Sequence, residues 1–321
     1  DYHMGNLKMQ IVRPAALRKG GTVGVIALAS PSDPSRLKLG LERIQKLGFK
    51  TKVALNPAAA YGKSTYLFSS DTPENRANAF MRLLKDSEVD AIIAARGAYG
   101  SIELLPLVDF ELLRSNPKCL VGLSDITAFL MAAYAKAKVT SIHGAMVSGT
   151  FANQEQSENR ESTINSVFDL ITGAKTNPFL GLKYENIGTG DRAEGVLLGG
   201  SLTALTLLLG TPWDYSLDGA ILFIEDVGEK PFRVLRMLSQ LQLSGKFKKL
   251  TGVLVGEFKD CVHAHGPDIH SVIQSIFAPY KIPVLWGMPF GHGDLNIAVP
   301  LGVNAKIRDN QVEIEEKVVL G

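Results

Sequence analysis

Short apolar, β-branched runs alternate with amphipathic stretches through the first half of this chain, and few architectures accept that rhythm. Thr22-Val23-Gly24-Val25-Ile26-Ala27-Leu28 follows Gly20-Gly21 and ends in Ser30-Pro31-Ser32, a turn able to start a helix. Ser35 to Leu47 then carries Leu37, Leu39, Leu41, Ile44 and Leu47, close to helical spacing. Phe49 to Val53 reads as the next strand. Asp71 to Leu84 predicts a helix with Asp71 as N-cap and Pro73 in its first turn. Ala91 to Ala95, Cys119 to Val121 and, more weakly, Thr140 to Ile142 complete the strand set. Strands separated by amphipathic helices imply a Rossmann-like, mainly parallel α/β sheet over residues 1–150. In such sheets reactive groups gather beyond the C-terminal strand ends. Three of those ends carry Ser30-Pro31, Arg96-Gly97-Ala98-Tyr99-Gly100 and Gly122-Leu123-Ser124.

The pattern then changes. Residues 151–190 are polar around Asn153 to Arg160, with a helical segment at Thr163 to Leu170, and read as an inter-domain connection. Residues 191–321 read as a smaller α+β domain with more antiparallel content. Its strands are Gly219 to Ile224, Gly252 to Gly256 and Pro283 to Trp286, with terminal strands at Ala298-Val299 and Ala305 to Glu315. An amphipathic helix spans Arg233 to Leu243. No internal repeat or low-complexity tract is present in the sequence.

Composition narrows the function classes. With 34 basic and 32 acidic residues the net charge is +2, which gives no electrostatic case for nucleic acid or an anionic membrane. The longest apolar stretch, Val196 to Gly210, is short of the roughly 20 residues a membrane span needs, and Gly199, Gly200, Ser201 and Thr203 interrupt it. Cys119 and Cys261 lack metal-type spacing and sit in apolar contexts, so two buried free thiols are expected. Asp1-Tyr2-His3-Met4-Gly5 reads as an artificial leader, and a signal peptide could have been removed ahead of it. The cytoplasm is the favoured compartment.

Ser124 carries the chemistry. An apolar run ends at Gly122, the serine follows, and a helical stretch begins at once, which is how a serine nucleophile is presented over a helix N-terminus. A serine hydroxyl needs a base. His263 and His265 flank a turn and are expected in solvent; His270 falls on a helix with no evident partner; His3 lies in the leader. Two histidines remain. His143 follows a strand in the same half as Ser124, and His292 sits in Pro289-Phe290-Gly291-His292-Gly293-Asp294, where flanking glycines allow close backbone approach. An imidazole base needs an acceptor on its other nitrogen, and Glu225 or Asp226, at the end of Leu222-Phe223-Ile224, would serve. A tetrahedral oxyanion needs donors. The amide of Asp125 and the backbone of the Gly97 loop are candidates. That loop is also a weak phosphate-loop look-alike, without the Gly-Lys-Ser/Thr ending.

Taken together, these segments resemble the LD-carboxypeptidase family of serine peptidases, which includes the microcin C self-immunity peptidases. The matching pieces run in order: Gly24-Val25-Ile26-Ala27 to Ser30-Pro31, Arg96-Gly97-Ala98-Tyr99-Gly100, Gly122-Leu123-Ser124-Asp125, His143-Gly144, Leu198-Gly199-Gly200-Ser201-Leu202, Gly210-Thr211-Pro212, Phe223-Ile224-Glu225-Asp226-Val227-Gly228-Glu229, Arg236-Met237-Leu238 and Gly291-His292-Gly293. The resemblance implies Ser124 as nucleophile, Glu225 as carboxylate and His292 as base, with the site in an inter-domain groove. It implies an oxyanion hole from the backbone of Gly97 and Asp125, and substrate contacts from Arg96, Tyr99 and Ser201. It further implies hydrolysis of an L–D amide that releases terminal D-alanine from murein tetrapeptide, no metal or organic cofactor, and a cytoplasmic homodimer.

Three departures from the family pattern bear on substrate. Ala98 replaces a glycine, Glu103 stands near a position often basic or amide, and Ser201 replaces an asparagine. Glu103 is expected on a helix surface. Two other functions stay in view: immunity-type cleavage of peptidyl or aminoacyl nucleotides, for which Trp213 could stack a base, and non-catalytic muropeptide binding. Trp213 is expected to cap the core instead. Ile126, where the common Gly-x-Ser-x-Gly elbow has its second glycine, points away from α/β-hydrolase esterases.

Overall fold

The computed structural model describes residues 9–63 and 66–321, so the leader with His3 lies outside the described residues. The first half runs β1 (Thr22–Ile26), α1 (Pro34–Lys46), β2 (Lys50–Ala54), α2 (Pro73–Lys85), β3 (Val89–Ala94), α3 (Phe110–Ser115), β4 (Cys119–Gly122), α4 (Ile126–Ala137) and β5 (Ser141–His143). The second runs α5 (Glu158–Ile171), β6 (Glu185–Asn186), β7 (Ala193–Ser201), α6 (Leu202–Thr206), β8 (Ala220–Val227), α7 (Pro231–Leu243), β9 (Gly252–Lys259), α8 (Ile269–Phe277), β10 (Val284–Trp286), β11 (Val299–Leu301), β12 (Asn304–Arg308) and β13 (Gln311–Glu313). The expected α/β class holds.

Six strands in the order β11-β5-β4-β3-β1-β2 form the first sheet. Its five consecutive strands are parallel, and their faces are closed by apolar side chains such as Val25, Ile93, Val121, Phe80 and Phe129. Burial on both faces accounts for the uninterrupted apolar runs in the sequence. The sixth strand corrects an expectation. Val299–Leu301 does not end the second sheet; it pairs antiparallel with β5 in the first.

The second sheet has the order β13-β12-β7-β8-β9-β10-β6. It carries the expected antiparallel content only at its edges, where β12, β13 and β6 attach. Its centre, β7-β8-β9-β10, is parallel. Asp309 and Asn310, at φ +50° and +61°, turn β12 into β13, as a tight hairpin requires.

Two boundaries also shift. The N-cap of α2 is Thr72, whose side chain accepts from the Asn75 amide at 3.2 Å; Asp71 instead accepts from the Thr72 amide at 2.7 Å and Asn75 Nδ2 at 2.9 Å. Helix α5, expected over Thr163 to Leu170, begins earlier, at Glu158 capped by Ser157, because the end of the polar stretch forms its first turn. Among the described residues no helix is long and apolar enough to cross a membrane. Cys119 and Cys261 are free and buried, as expected, and burial pushes their thiols up to about 12 and about 11.

Candidate active site

Ser124 occupies the turn between β4 and α4 with φ +64°, a left-handed backbone that an L-residue adopts only at a cost. The turn is held on both sides. The Thr127 amide donates to Ser124 O at 2.9 Å, and the Ile126 amide to Leu123 O at 3.3 Å. Glycine is required just before it, because a Cβ on Gly122 would fall 2.3 Å from Ile126 Cγ2. A branched side chain therefore packs where other serine elbows keep a second glycine.

The Gly97 loop lies directly against this turn. A Cβ on Gly97 would sit 3.1 Å from Ser124 Cβ and 3.2 Å from Leu123 O. The loop's shape is stored in two left-handed residues, Ala98 at φ +78° and Gly100 at φ +117°. Ala98 thus holds a glycine-type conformation with a Cβ, which strains the backbone. Asp125 ties the turn to the loop. Its Oδ2 accepts from the Ser101 amide and its carbonyl from Ser101 Oγ, both at 2.8 Å. The amides of Gly97 and Asp125 donate to no protein acceptor among the described residues.

Sequence reading missed Arg76. Its side chain is fully buried and donates to Leu28 O at 2.7 Å, Gly100 O at 2.8 Å and Asp71 O at 3.0 Å. It also pairs with Glu103, which accepts from Ser69 Oγ at 3.0 Å. Glu103 is therefore no free surface carboxylate; it completes a clamp across the ends of β1 and β3. A buried arginine on an otherwise apolar helix face was the available signal. Arg96 is exposed and donates to Pro31 O at 2.9 Å. Tyr99 is 43% exposed and meets Phe68 edge-on.

The other half of the site comes from β8 and the loop after β10. Glu225 is fully buried, beside Ser201 in the parallel β7–β8 register. Ser201 is buried too, and its amide donates to Thr127 Oγ1 of α4 at 3.1 Å. That contact joins the second sheet to the helix that follows Ser124. His292 Nδ1 lies 2.6 Å from Glu225 Oε2. Gly291, at φ +126°, permits the approach, since a Cβ there would stand 2.9 Å from the same oxygen. Asn296 Oδ1 accepts from the Gly291 amide at 3.0 Å and holds the loop. A carboxylate on Nδ1 assigns the proton to that nitrogen and leaves Nε2 as acceptor.

Burial raises the Glu225 carboxyl, and the His292 hydrogen bond opposes it. Burial pulls His292 down, but the hydrogen bond and charge of Glu225, with the charge of Asp226, outweigh it and hold the imidazole above its ordinary value. Asp226, the alternative carboxylate, turns elsewhere: its Oδ2 accepts from Thr203 N and Oγ1, both at 2.8 Å, at the start of α6.

His143, the alternative base, is fully buried with its Nε2 3.7 Å from Glu225 Oε1. Burial first, and the charge of His292 second, push it down to about 3. An imidazole so weakly basic cannot collect a proton at neutral pH. His263 and His265 are exposed as expected. His270 does have partners, Glu185 at 3.6 Å and the edge of Trp286. Trp213 is half-buried against the core, as expected. Among the described residues no group of three or more His, Cys, Asp or Glu is arranged to hold a metal ion.

Two α/β sheets, joined where the Ser201 amide meets Thr127 on the helix after Ser124, form the fold of a carboxypeptidase-type hydrolase. More narrowly, the chain belongs to the LD-carboxypeptidase family: residues 23–144 match the LD-carboxypeptidase N-terminal domain and residues 194–307 the LD-carboxypeptidase C-terminal domain. It is 31% identical to the murein tetrapeptide carboxypeptidase of Pseudomonas aeruginosa, over 91% of this chain and 94% of that one. Among solved structures it is similar to MccF in complex with glutamyl sulfamoyl guanosine, at TM-score 0.84 and 26% identity, covering 96% and 99% of the two chains. It is also similar to muramoyltetrapeptide carboxypeptidase from Oxalobacter formigenes, at TM-score 0.78 and 28% identity, covering 91% and 96%.

Proposed function

We propose that this chain is a serine LD-carboxypeptidase that releases terminal D-alanine from murein tetrapeptide. One observation supports the reading most: a fully buried Glu225 is bonded to His292 and lies 3.7 Å from His143, the register partner of Gly122, two residues before a serine held at φ +64°. In this mechanism Ser124 Oγ attacks the scissile carbonyl and His292 Nε2 takes its proton. Glu225 holds the imidazole through Nδ1 and stabilises the imidazolium. The unengaged amides of Gly97 and Asp125 receive the oxyanion. His292 returns the proton to the departing D-alanine amine, and water then cleaves the acyl-enzyme by the same relay. The serine belongs to an N-terminal domain over residues 1–150 and its partners to residues 191–321, with Arg96, Tyr99 and Ser201 at the substrate. A cytoplasmic homodimer completes the proposal on family resemblance alone.

The likeness to the MccF complex favours one second reading, cleavage of an aminoacyl nucleotide conjugate. Against it, Trp213 packs on the core and is a poor stacking platform. Defined tri-, tetra- and pentapeptides with L- and D-configured ends, beside an aminoacyl sulfamoyl adenosine, followed by mass spectrometry, separate the two. Release of D-alanine from the tetrapeptide alone is the expected result. Turnover of the nucleotide alone would replace the reading. A fluorophosphonate that labels wild type and not Ser124→Ala distinguishes an enzyme from a binding protein.

A further inference from the structure

His143 is not used by the mechanism above, yet it lies at its centre. It is fully buried, pairs in register with Gly122 two residues before Ser124, and points Nε2 at Glu225 Oε1 from 3.7 Å. Among the described residues neither of its ring nitrogens has a hydrogen-bond partner, and neither has Glu225 Oε1. Two buried, unpartnered polar groups facing each other are unusual, because each bears a desolvation cost that only the other can relieve. Two aromatic rings pack on it: Phe223 and Phe290 meet the His143 ring edge-on at centroid distances of 5.5 and 6.4 Å.

We propose that His143 is a positioning residue: as a neutral imidazole it turns Nε2–H toward Glu225 Oε1 and sets the negative potential against which His292 takes up its proton. The inference rests on the triad reading. Glu225 has two oxygens with separate tasks. Oε2 binds His292 and Oε1 faces His143. A fixed N–H dipole on Oε1 disperses part of the carboxylate charge and moderates the pull on the His292 proton. The low basicity of His143 keeps it neutral and therefore constant through the working range. The other titratable groups acting on this pair are Asp226 on β8, and Glu257 and Lys259 on β9. They stay in place when His143 alone is changed.

His143→Phe fills the same aromatic pocket without the dipole, and His143→Gln restores an N–H donor. The direct readout is an NMR titration of the His292 imidazole in the Ser124→Ala background, which needs no turnover. His143→Phe is expected to raise the His292 pKa by about 0.5–1 unit and His143→Gln to bring it back. In the active enzyme His143→Phe should lower kcat about tenfold with KM nearly unchanged, with the acid limb of the rate profile moving up in step. A folded His143→Phe variant with an unshifted His292 overturns the proposal, and so does a downward shift, which would put the hydrogen on Glu225. If His143→Phe does not fold, His143→Gln decides: a folded Gln variant must keep the wild-type His292 titration. Activity surviving in Ser124→Ala itself would sink the triad instead, so the two failures are distinguishable.

Discussion

Glu225 Oε2 and His292 Nδ1 stand 2.6 Å apart although 67 residues separate them in sequence, and the carboxylate has no access to water. A buried carboxylate in that position holds the ring and its tautomer. Glu225→Gln keeps the volume, removes the charge and allows the wrong tautomer. It should lower kcat by roughly 10³–10⁴-fold with little change in KM. Steady-state kinetics on D-alanine release checks this, with circular dichroism to confirm folding.

The pH dependence has a definite sign. In the proposed triad His292 must be neutral to accept the Ser124 proton, and the Glu225 hydrogen bond and charge hold its pKa above the ordinary 6.5. Lowering the pH through that raised value protonates His292 and switches activity off. The acid limb of kcat/KM should therefore fall above pH 6.5, not below it. A limb below that value would contradict the Glu225 coupling.

Strain at the serine makes stability and activity separable. Ser124 and Ala98 hold φ values of +64° and +78°. Replacing either by glycine relieves a left-handed Cβ, offset by the greater freedom of glycine in the unfolded chain. Each change should stabilise by ~0.5–1 kcal/mol in urea unfolding. Ser124→Gly should be inactive and Ala98→Gly active.

Gly97 has little space for a side chain. A Cβ there would sit 3.1 Å from Ser124 Cβ, so Gly97→Ala must displace the serine turn by a few tenths of an ångström. Near-attack geometry is sensitive to such shifts. The expected loss is about tenfold in kcat, with unfolding midpoints close to wild type.

The Arg76–Glu103 clamp is structural. Arg76→Ala removes the guanidinium from the Leu28 carbonyl, and from Gly100 O and the Glu103 carboxylate, which keep the Glu103 amide at 3.2 Å and Ser69 Oγ at 3.0 Å respectively. Arg76 is buried but the Glu103 side chain is 27% exposed, so water replaces part of the lost pairing and the expected cost is ~1–3 kcal/mol. Equilibrium urea unfolding should read that loss, and Glu103→Gln, which keeps an acceptor for Arg76, should lose less.

Much of this molecule was legible before its structure. Runs such as Val23 to Ile26 and Ala91 to Ala94 announced buried parallel strands, and the spacing of Leu37, Leu41 and Ile44 announced α1. Local chemistry explains that success, since strand and helix periods and turn residues act within a few neighbours. It also singled out Ser124 as a turn serine. The family resemblance, not periodicity, chose Glu225 over Asp226 and His292 over His143.

Tertiary structure decided the rest. Whether Glu225 or Asp226 faces the site depends on which side of β8 meets the His292 loop, and Asp226 instead binds Thr203 at the start of α6. Whether Val299–Leu301 closes the first sheet or the second depends on pairing with β5, far away along the chain. The contacts of Arg76 and Glu103 and the seclusion of His143 follow from burial, which a charge pattern does not reveal. The sequence by itself determined the strand–helix order and the turn that exposes Ser124, because those follow from short-range sterics and hydrophobic period. Only the packed sheets decided that Glu225 meets His292 while Asp226 turns to Thr203, because burial and distance are set by contacts between residues remote in sequence.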